Sequence, residues 1–141
     1  MTHPPLKLDA EGVNAVLLAA FPDTAPETMA LVVEAEPGRV LVKRPYGPGL
    51  LRPGNIVSGP TLMTIADTGA YALVLAHIGD QKMAVTSSLV MNFLRGAAIG
   101  DVWAEAVLLR LGRRIAVCDL KLWTESRERI AAQATVTYAI P

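Results

Sequence analysis

One long apolar segment constrains the fold more than any other feature of the sequence. Asp67 is the only acidic residue of Thr61–Ile78, and the apolar side chains of this segment spread over more than half of a helical circumference. The preceding Ser58-Gly59-Pro60 offers a cap, either Ser58 or Gly59, and a proline suited to a first helical turn. The segment therefore predicts a buried helix, about 27 Å long at ~1.5 Å per residue.

The segments on either side of this helix predict an α+β fold. Asp9–Phe21 has apolar residues at helical spacing and predicts a short amphipathic helix with Asp9 as its N-cap. Residues 45–54 are so rich in proline and glycine that we expect an irregular loop. Six β-rich runs predict strands, of which the last three can form a meander: Thr28–Glu36, Arg39–Lys43, Met83–Phe93, Val102–Arg110, Ile115–Trp123 and Ile130–Ile140. We expect a curved antiparallel sheet of five or six strands to wrap the long helix.

The composition fits one domain over residues 1–141 and excludes several classes of protein. A hydrophobic content of 52% rules out a disordered chain. Cys118, the single cysteine, lies in a β-rich run, where we expect a core thiol in a reducing cytoplasm. Two histidines and one cysteine cannot form the usual zinc site and no cluster of acids stands out, so we expect no metal site. We read no export signal, and the most apolar stretch, Gly69–Ile78, has ten residues, too few to span a membrane.

The formal net charge of zero conceals an asymmetry along the chain. Residues 1–36 carry six acids and one base, a net −5, whereas residues 37–141 carry seven acids and twelve bases, a net +5. A neutral chain is not typical of a nucleic-acid binder. The bases cluster at Lys43-Arg44 and around Arg110, Arg113 and Arg114. They form either two solvated hairpin ends or a basic rim around an apolar site, suited to a ligand with a phosphate at one end.

Asp67 is the strongest candidate for chemistry. A carboxylate inside the most apolar helix costs free energy unless it is hydrogen-bonded or used. We therefore weigh a general base or nucleophile against a structural role, such as bonding a neighbouring backbone end. Thr68 and Tyr71 belong to a polar stripe of the helix whose edge is at Asp67, and Thr86 on the following strand could orient a water molecule or the carboxylate.

The first turn of the same helix is a second candidate. Backbone N–H groups at a helix N-terminus lack helical partners and suit a developing oxyanion, so Gly59 could stabilise one. Many helices begin in this way without binding anything. We expect His77, at the apolar end of the helix, to be structural, and Trp103 and Trp123 to be core or interface residues.

Three motifs, in order, carry a resemblance that covers roughly residues 50–140. The first resembles the helix-entry motif of hotdog-fold thioesterases of the phenylacetate-degradation (PaaI) type: it reads Arg52-Pro-Gly-Asn-Ile-Val-Ser-Gly-Pro-Thr-Leu-Met-Thr-Ile-Ala-Asp67-Thr-Gly-Ala. The second, similar to the strand that follows, is Ala84-Val-Thr-Ser-Ser-Leu-Val-Met-Asn-Phe-Leu-Arg95. The third comprises Gly100-Asp-Val-Trp-Ala-Glu-Ala-Val, then Leu-Gly-Arg-Arg114-Ile-Ala-Val, and a final Ile-Ala-Ala-Gln-Ala-Thr-Val-Thr-Tyr.

The resemblance implies hydrolysis of an acyl-CoA thioester with an aryl or a short- to medium-chain acyl group, and no cofactor beyond the CoA of the substrate. Asp67 matches the family's general base or nucleophile, and Gly59 matches the glycine whose N–H polarises the thioester carbonyl across a subunit interface. Thr86 matches a Ser/Thr that positions water. The residues expected to meet the CoA phosphates are Arg95, Arg113 and Arg114, and those expected in the substrate pocket are Arg52, Asn55, Ser58, Thr68 and Tyr71.

The expected partners are the acyl-CoA substrate and further copies of the chain, in a dimer of dimers, with neither a nucleic acid nor a membrane. Two positions depart from the family pattern: Ser58 stands where the family has histidine, and Pro60 where it has a second glycine. Related enzymes often have asparagine at the position of Arg52. A non-catalytic acyl-CoA-binding or structural hotdog protein is therefore the alternative hypothesis. A hotdog dehydratase or hydratase is the least favoured hypothesis. Those enzymes use a histidine together with the acid, and the nearest histidine here, His77, lies ten residues beyond Asp67, at the far end of the helix.

Overall fold

A six-stranded antiparallel sheet packs around one long helix in the computed structural model, which describes residues 2–141. The strand order is β1-β2-β6-β7-β8-β5, so the last three strands form the predicted meander and β5 lies at the far edge. The predicted α+β fold is confirmed; Met1 of the predicted 1–141 domain lies outside the described residues. The helices are α1 (Ala10–Ala20) and α2 (Gly59–Ile78), and the strands are β1 (Leu31–Glu36), β2 (Arg39–Arg44), β3 (Leu51–Arg52), β4 (Ile56–Val57), β5 (Val85–Phe93), β6 (Val102–Leu111), β7 (Ile115–Trp123) and β8 (Ala132–Ala139).

Helix α2 begins at Gly59, two residues earlier than predicted, because Pro60 fits the first turn. Ser58 is the cap: its backbone is extended (ψ 151°) and its Oγ accepts the Thr61 N–H at 3.2 Å. At the other end of the helix Gly79 adopts a φ of 87°, a conformation that favours glycine, and the helix stops there.

The hydrophobic core lies between α2 and one face of the sheet. A Cβ atom added at Gly69 would lie 3.1 Å from Leu120 Cδ1 and 3.5 Å from Val42 Cγ2, so the glycine allows a close approach of helix and strands. By length and composition α2 could also cross a membrane, but 67% of its most apolar window is buried inside the fold. Such burial is typical of a helix in the core of a folded domain.

The two edges of the sheet differ. At the β1 edge, Asn14 of α1 donates from Nδ2 to the Val32 carbonyl at 2.9 Å and accepts the Val32 N–H at 2.7 Å. At the β5 edge no strand among residues 2–141 pairs with the outer side. This strand also carries exposed apolar side chains, since Val85, Val90 and Phe93 are 54%, 59% and 52% exposed. The β1 edge is thus covered, and the β5 edge is open to another strand.

The predicted loop at 45–54 is more regular than expected. Strand β3 falls inside it and pairs with β4 in a separate two-stranded hairpin. In the connecting turn Gly54 and Asn55 have left-handed φ values of 96° and 55°, which glycine and asparagine tolerate best. The sequence pattern missed this hairpin because each of its strands has only two residues.

Two residues predicted to be structural are buried as expected. His77 Nε2 accepts the Gly38 N–H at 3.0 Å, and Nδ1 therefore carries the proton and donates to the Leu73 carbonyl at 2.8 Å. Burial lowers the pKa of His77, which keeps the ring neutral in this role. Burial raises the pKa of the Cys118 thiol to about 12, so this cysteine is an unreactive core residue.

Candidate active site

Asp67 is held in a polar cluster that three elements build. From β5, Thr86 Oγ1 donates to Asp67 Oδ1 at 2.6 Å, and from β8, Tyr138 Oη donates to the same oxygen at 2.8 Å. Tyr138 Oη also lies 3.2 Å from the Asp67 carbonyl oxygen. Among residues 2–141 no donor reaches Asp67 Oδ2. One carboxylate oxygen is therefore fixed by the protein, and the other is available to water or a ligand.

Tyr138 is a functional candidate that the sequence pattern did not predict. Its buried ring stacks on Tyr71, with 5.7 Å between ring centroids and 17° between planes, and Tyr71 meets Phe21 edge-on at 6.3 Å. Burial raises the pKa of Tyr138, and the neighbouring Asp67 carboxylate raises it further, although the Thr86 hydroxyl opposes both. Tyr138 therefore remains protonated and donates to Asp67. The sequence signals for Tyr138 were its place near the end of the last strand and at the end of the third motif.

An open cleft of about 390 Å³ surrounds this cluster and is here called the Asp67 cleft. Two of the predicted pocket residues, Thr68 and Tyr71, line it. Lys82 lines it as well: its carbonyl accepts the Tyr71 hydroxyl at 2.9 Å, and its Nζ pairs with Asp80 at 2.7 Å. The cleft thus combines one carboxylate oxygen without a protein donor, several fixed hydroxyl groups and an ammonium group.

The first turn of α2 has one backbone donor without a partner. Ser58 accepts two N–H groups, that of Thr61 on its hydroxyl and that of Leu62 on its carbonyl at 3.1 Å. Pro60 has no N–H. Among residues 2–141 no acceptor is found for the Gly59 N–H. This group lies at the positive end of the helix dipole and can bind an oxyanion.

A second cleft, of about 320 Å³, opens beside this amide and is here called the Gly59 cleft. Arg52 and Arg95 line it, and the Phe93 ring lies 3.5 Å from where a Cβ on Gly59 would be. Asn55, another predicted pocket residue, is exposed in the β3–β4 turn and lines neither cleft. The Gly59 cleft therefore offers a backbone donor, an aromatic wall and two cations.

Within one chain, the two clefts lie at different places along α2 and at opposite ends of β5. Gly59 and Asp67 are eight residues apart on α2, a separation of about 12 Å at ~1.5 Å per residue. Strand β5 shows the same separation, because Thr86 near its start contacts Asp67, whereas Phe93 at its end lies beside Gly59. Within one chain, a single carbonyl group cannot contact both.

The three arginines expected to meet CoA phosphates are exposed and divided between these ends. Arg95 follows β5 and lines the Gly59 cleft. Arg113 and Arg114 lie in the β6–β7 turn, and the registers of β7 with β8 and of β8 with β5 place this turn beside the start of β5. That is the end of the Asp67 cleft, so one chain does not bring the three arginines together.

No group of His, Cys, Asp and Glu side chains in the described part of the chain could hold a metal ion. The described residues of the two clefts supply a carboxylate, hydroxyl groups, an ammonium group, a backbone N–H at a helix N-terminus and arginines. The expectation that the protein uses no cofactor stays a prediction.

Comparison with known proteins supports the motifs found in the sequence. The model of a family described as "Thioesterase superfamily" matches residues 54–131. The crystal structure of a "putative thioesterase" from Silicibacter sp. TM1040 is 37% identical, covers 96% of this chain and 94% of that chain, and has a TM-score of 0.86. The PaaI protein from the E. coli phenylacetic acid degradation operon shares the fold at 17% identity, with 95% of this chain and 96% of that chain covered and a TM-score of 0.76.

A "putative esterase" from Saccharolobus solfataricus is 28% identical over 110 residues, which are 77% of this chain and 76% of that protein. The family match covers more than half of the chain and includes the helix-entry motif from Gly54 onward, all of α2 and strands β5 to β7. The chain therefore belongs to the thioesterase superfamily and has its hotdog fold.

Proposed function

We propose that this protein is an acyl-CoA thioesterase whose active site is shared by two copies of the chain. The observation that carries the proposal is the complementarity of the two clefts: one holds Asp67 with Oδ2 free, and the other holds the free Gly59 N–H. A general base and an oxyanion donor are the two groups that transfer of an acyl group to water requires. Neither cleft contains both.

In the proposed reaction the thioester carbonyl oxygen accepts the Gly59 N–H, and Asp67 Oδ2 takes a proton from a water molecule that attacks the carbonyl carbon. The N–H and the helix dipole stabilise the oxyanion of the tetrahedral intermediate. Its collapse breaks the C–S bond, the CoA thiolate takes up the proton, and the free acid leaves. Direct attack by Asp67, followed by hydrolysis of the resulting anhydride, would use the same groups.

Pairing of β5 with β5 of a second copy explains how the clefts meet. In an antiparallel two-fold pairing, the Thr86 end of one strand lies beside the Phe93 end of the other. Asp67 then faces the partner subunit's Gly59, and Arg113 and Arg114 approach the partner subunit's Arg95. The exposed edge and its apolar side chains support this arrangement. We propose a dimer of this kind as the unit of a dimer of dimers, acting in the cytoplasm.

A non-catalytic acyl-CoA-binding protein is the second candidate. Two observations favour it: the Ser58 hydroxyl is occupied as the helix cap, and Pro60 offers no second amide N–H. The two candidates share a binding site and differ in turnover.

Thiol release from a panel of aryl and aliphatic acyl-CoAs distinguishes them. We expect the wild-type protein to hydrolyse some members, and Asp67→Asn to bind them with little turnover. Asp119→Asn is the matched control, since Asp119 lies on β7 outside both clefts and likewise accepts a hydrogen bond on Oδ1, from Gln133 at 2.8 Å. Binding at micromolar concentration with no turnover by the wild type would establish the second candidate instead.

Mixing two inactive variants tests whether the site is shared. Asp67→Asn damages one cleft and Gly59→Pro, which removes the N–H, damages the other. In a mixed dimer one of the two sites has both groups intact, so random mixing should restore about a quarter of wild-type activity. A site formed within one chain would give no recovery, which would contradict the proposed arrangement.

A further inference from the structure

A third cavity, of about 300 Å³, adjoins the Asp67 cleft and contains none of the reacting groups. Phe21 and Thr68 line both, so the two cavities are neighbours along α2. Its α2 side carries Thr61, Thr64 and Thr68, which span about 10 Å at ~1.5 Å per residue. It is here called the threonine cavity.

Apart from Arg44, the wall of the threonine cavity presents mainly apolar groups and hydrogen-bond acceptors. Thr68 Oγ1 donates to the Thr64 carbonyl at 2.9 Å, and Thr64 Oγ1 donates to the Pro60 carbonyl at 3.1 Å. These side chains therefore present methyl groups and lone pairs, and their hydroxyl protons are used. The large apolar side chains of the wall are Phe21, Met29, Leu50 and Ile65.

Arg44 is the one charged residue that lines this cavity. Its Nη1 donates to the carbonyls of Glu27, at 3.3 Å, and Pro45, so the backbone holds the guanidinium in place. None of the ion pairs found among residues 2–141 includes Arg44. Because a guanidinium has five N–H donors in a planar fork, several remain for a ligand.

We infer that the threonine cavity binds the far end of the acyl group and that Arg44 selects acyl groups that end in a carboxylate. The inference rests on the proposed function, because it assumes that the thioester carbon lies beside Asp67. The apolar wall accepts the methylene groups, and the carboxylate pairs with the guanidinium. A plain alkyl chain of the same length would leave the guanidinium donors without an acceptor in an apolar cavity.

The test compares thioesters that differ only in the terminal group: adipyl-CoA with hexanoyl-CoA, and suberyl-CoA with octanoyl-CoA. We expect the wild-type kcat/KM for thiol release to be at least ~10-fold higher for the carboxylate-ended member of each pair, and Arg44→Gln to abolish that ratio by slowing only that member. Lys43→Gln is the matched control. It removes the same charge one residue away, where Nζ is engaged with Asp101 at 3.5 Å and lies 5.4 Å from the Trp103 ring centroid.

Two results would overturn the inference. One is a wild-type preference for the plain acyl chains, or no preference; the other is an equal loss on both members of a pair in Arg44→Gln, which indicates a structural role. Calorimetric binding of adipyl-CoA and hexanoyl-CoA to Asp67→Asn measures the same preference without turnover. If the protein prefers the carboxylate-ended ligand in binding but the wild type hydrolyses neither, the proposed thioesterase activity is wrong and the Arg44 subsite stands. If the wild type hydrolyses both without a preference, the activity stands and the Arg44 subsite is wrong.

Discussion

The Asp67 cleft and the Gly59 cleft are built in opposite ways. In the first, side chains from α2, β5 and β8 converge on one carboxylate oxygen through hydrogen bonds of 2.6 and 2.8 Å. In the second, the chemistry rests on the Gly59 N–H, which has no helical acceptor in the first turn and is not capped, because Ser58 accepts the N–H groups of Thr61 and Leu62 instead. Conservative side-chain changes in the Asp67 cleft should therefore lower activity. In the Gly59 cleft, only changes that remove the N–H or fill the space in front of it should do so.

The largest expected effect is that of Asp67→Asn. An asparagine can keep its carbonyl oxygen where Oδ1 now accepts from Thr86 and Tyr138, so the cluster retains its shape and loses its base. We expect kcat for acyl-CoA hydrolysis to fall by about 10²–10⁴, the usual contribution of a general base. Thiol release measures it, and an unchanged circular dichroism spectrum and denaturant midpoint would show that the fold is kept. Wild-type kcat in this variant would remove Asp67 from the mechanism.

The next largest effect is expected from loss of the Gly59 N–H, which a comparison of Gly59→Pro with Gly59→Ala isolates. Proline is common at the first position of a helix, but residue 59 also precedes Pro60, where the helical conformation is disfavoured, so the denaturant midpoint of each variant is compared with that of the wild type. Alanine keeps the N–H, and its Cβ would meet the Phe93 ring at an ordinary 3.5 Å. We expect Gly59→Pro to lower kcat by about 10²–10³, as for loss of one oxyanion donor, and Gly59→Ala to lower it far less. Equal losses in the two variants would assign the effect to bulk and not to the N–H.

Tyr138→Phe should have a smaller effect on the Asp67 cleft. It removes one hydrogen bond to a carboxylate and keeps the ring that stacks on Tyr71. Bonds to charged groups contribute ~1.5–3 kcal/mol, so a kcat loss of roughly ten-fold or more is expected at unchanged KM. Tyr71→Phe is the control, because its hydroxyl binds the Lys82 carbonyl and not Asp67. A similar kcat loss in both variants would indicate general loosening of the aromatic stack.

The sequence predicted the two proposed reacting groups, Asp67 and the Gly59 N–H, better than the side chains around them. A carboxylate in an apolar helix is conspicuous, and its expected bond to Thr86 is present at 2.6 Å. Tyr138 was not predicted, because strand register decides which residue of β8 meets Asp67. Tyr138 lies 71 residues farther along the chain than Asp67. Arg95, Arg113 and Arg114 were grouped by the family resemblance, and within one chain the sheet places Arg95 at the opposite end from the other two.

The fold itself was predictable because the apolar residues of its long helix and main strands recur at helical or strand spacing in the sequence. Helix α2 and strand β7 match their predicted ranges to within two residues, since each has a consistent apolar pattern and a clear end. The β3–β4 hairpin was not predicted, because two-residue strands leave no periodic signal. What the pattern of one chain cannot specify is which residues meet across the open β5 edge, and the proposed site depends on that contact.

The smallest predicted effect, that of Ser58→Ala, separates the cap of α2 from its chemistry. The Ser58 hydroxyl accepts the Thr61 N–H and lies 2.6 Å from Thr61 Oγ1, so its loss should destabilise the fold by about 1 kcal/mol. Urea unfolding measures this, with Asp9→Ala, which removes the cap of α1, as a matched control. Because the Gly59 N–H does not depend on the hydroxyl, kcat should stay within a few-fold of wild type. A large kcat loss at unchanged stability would instead make Ser58 a participant in the reaction, in the place where the family has histidine.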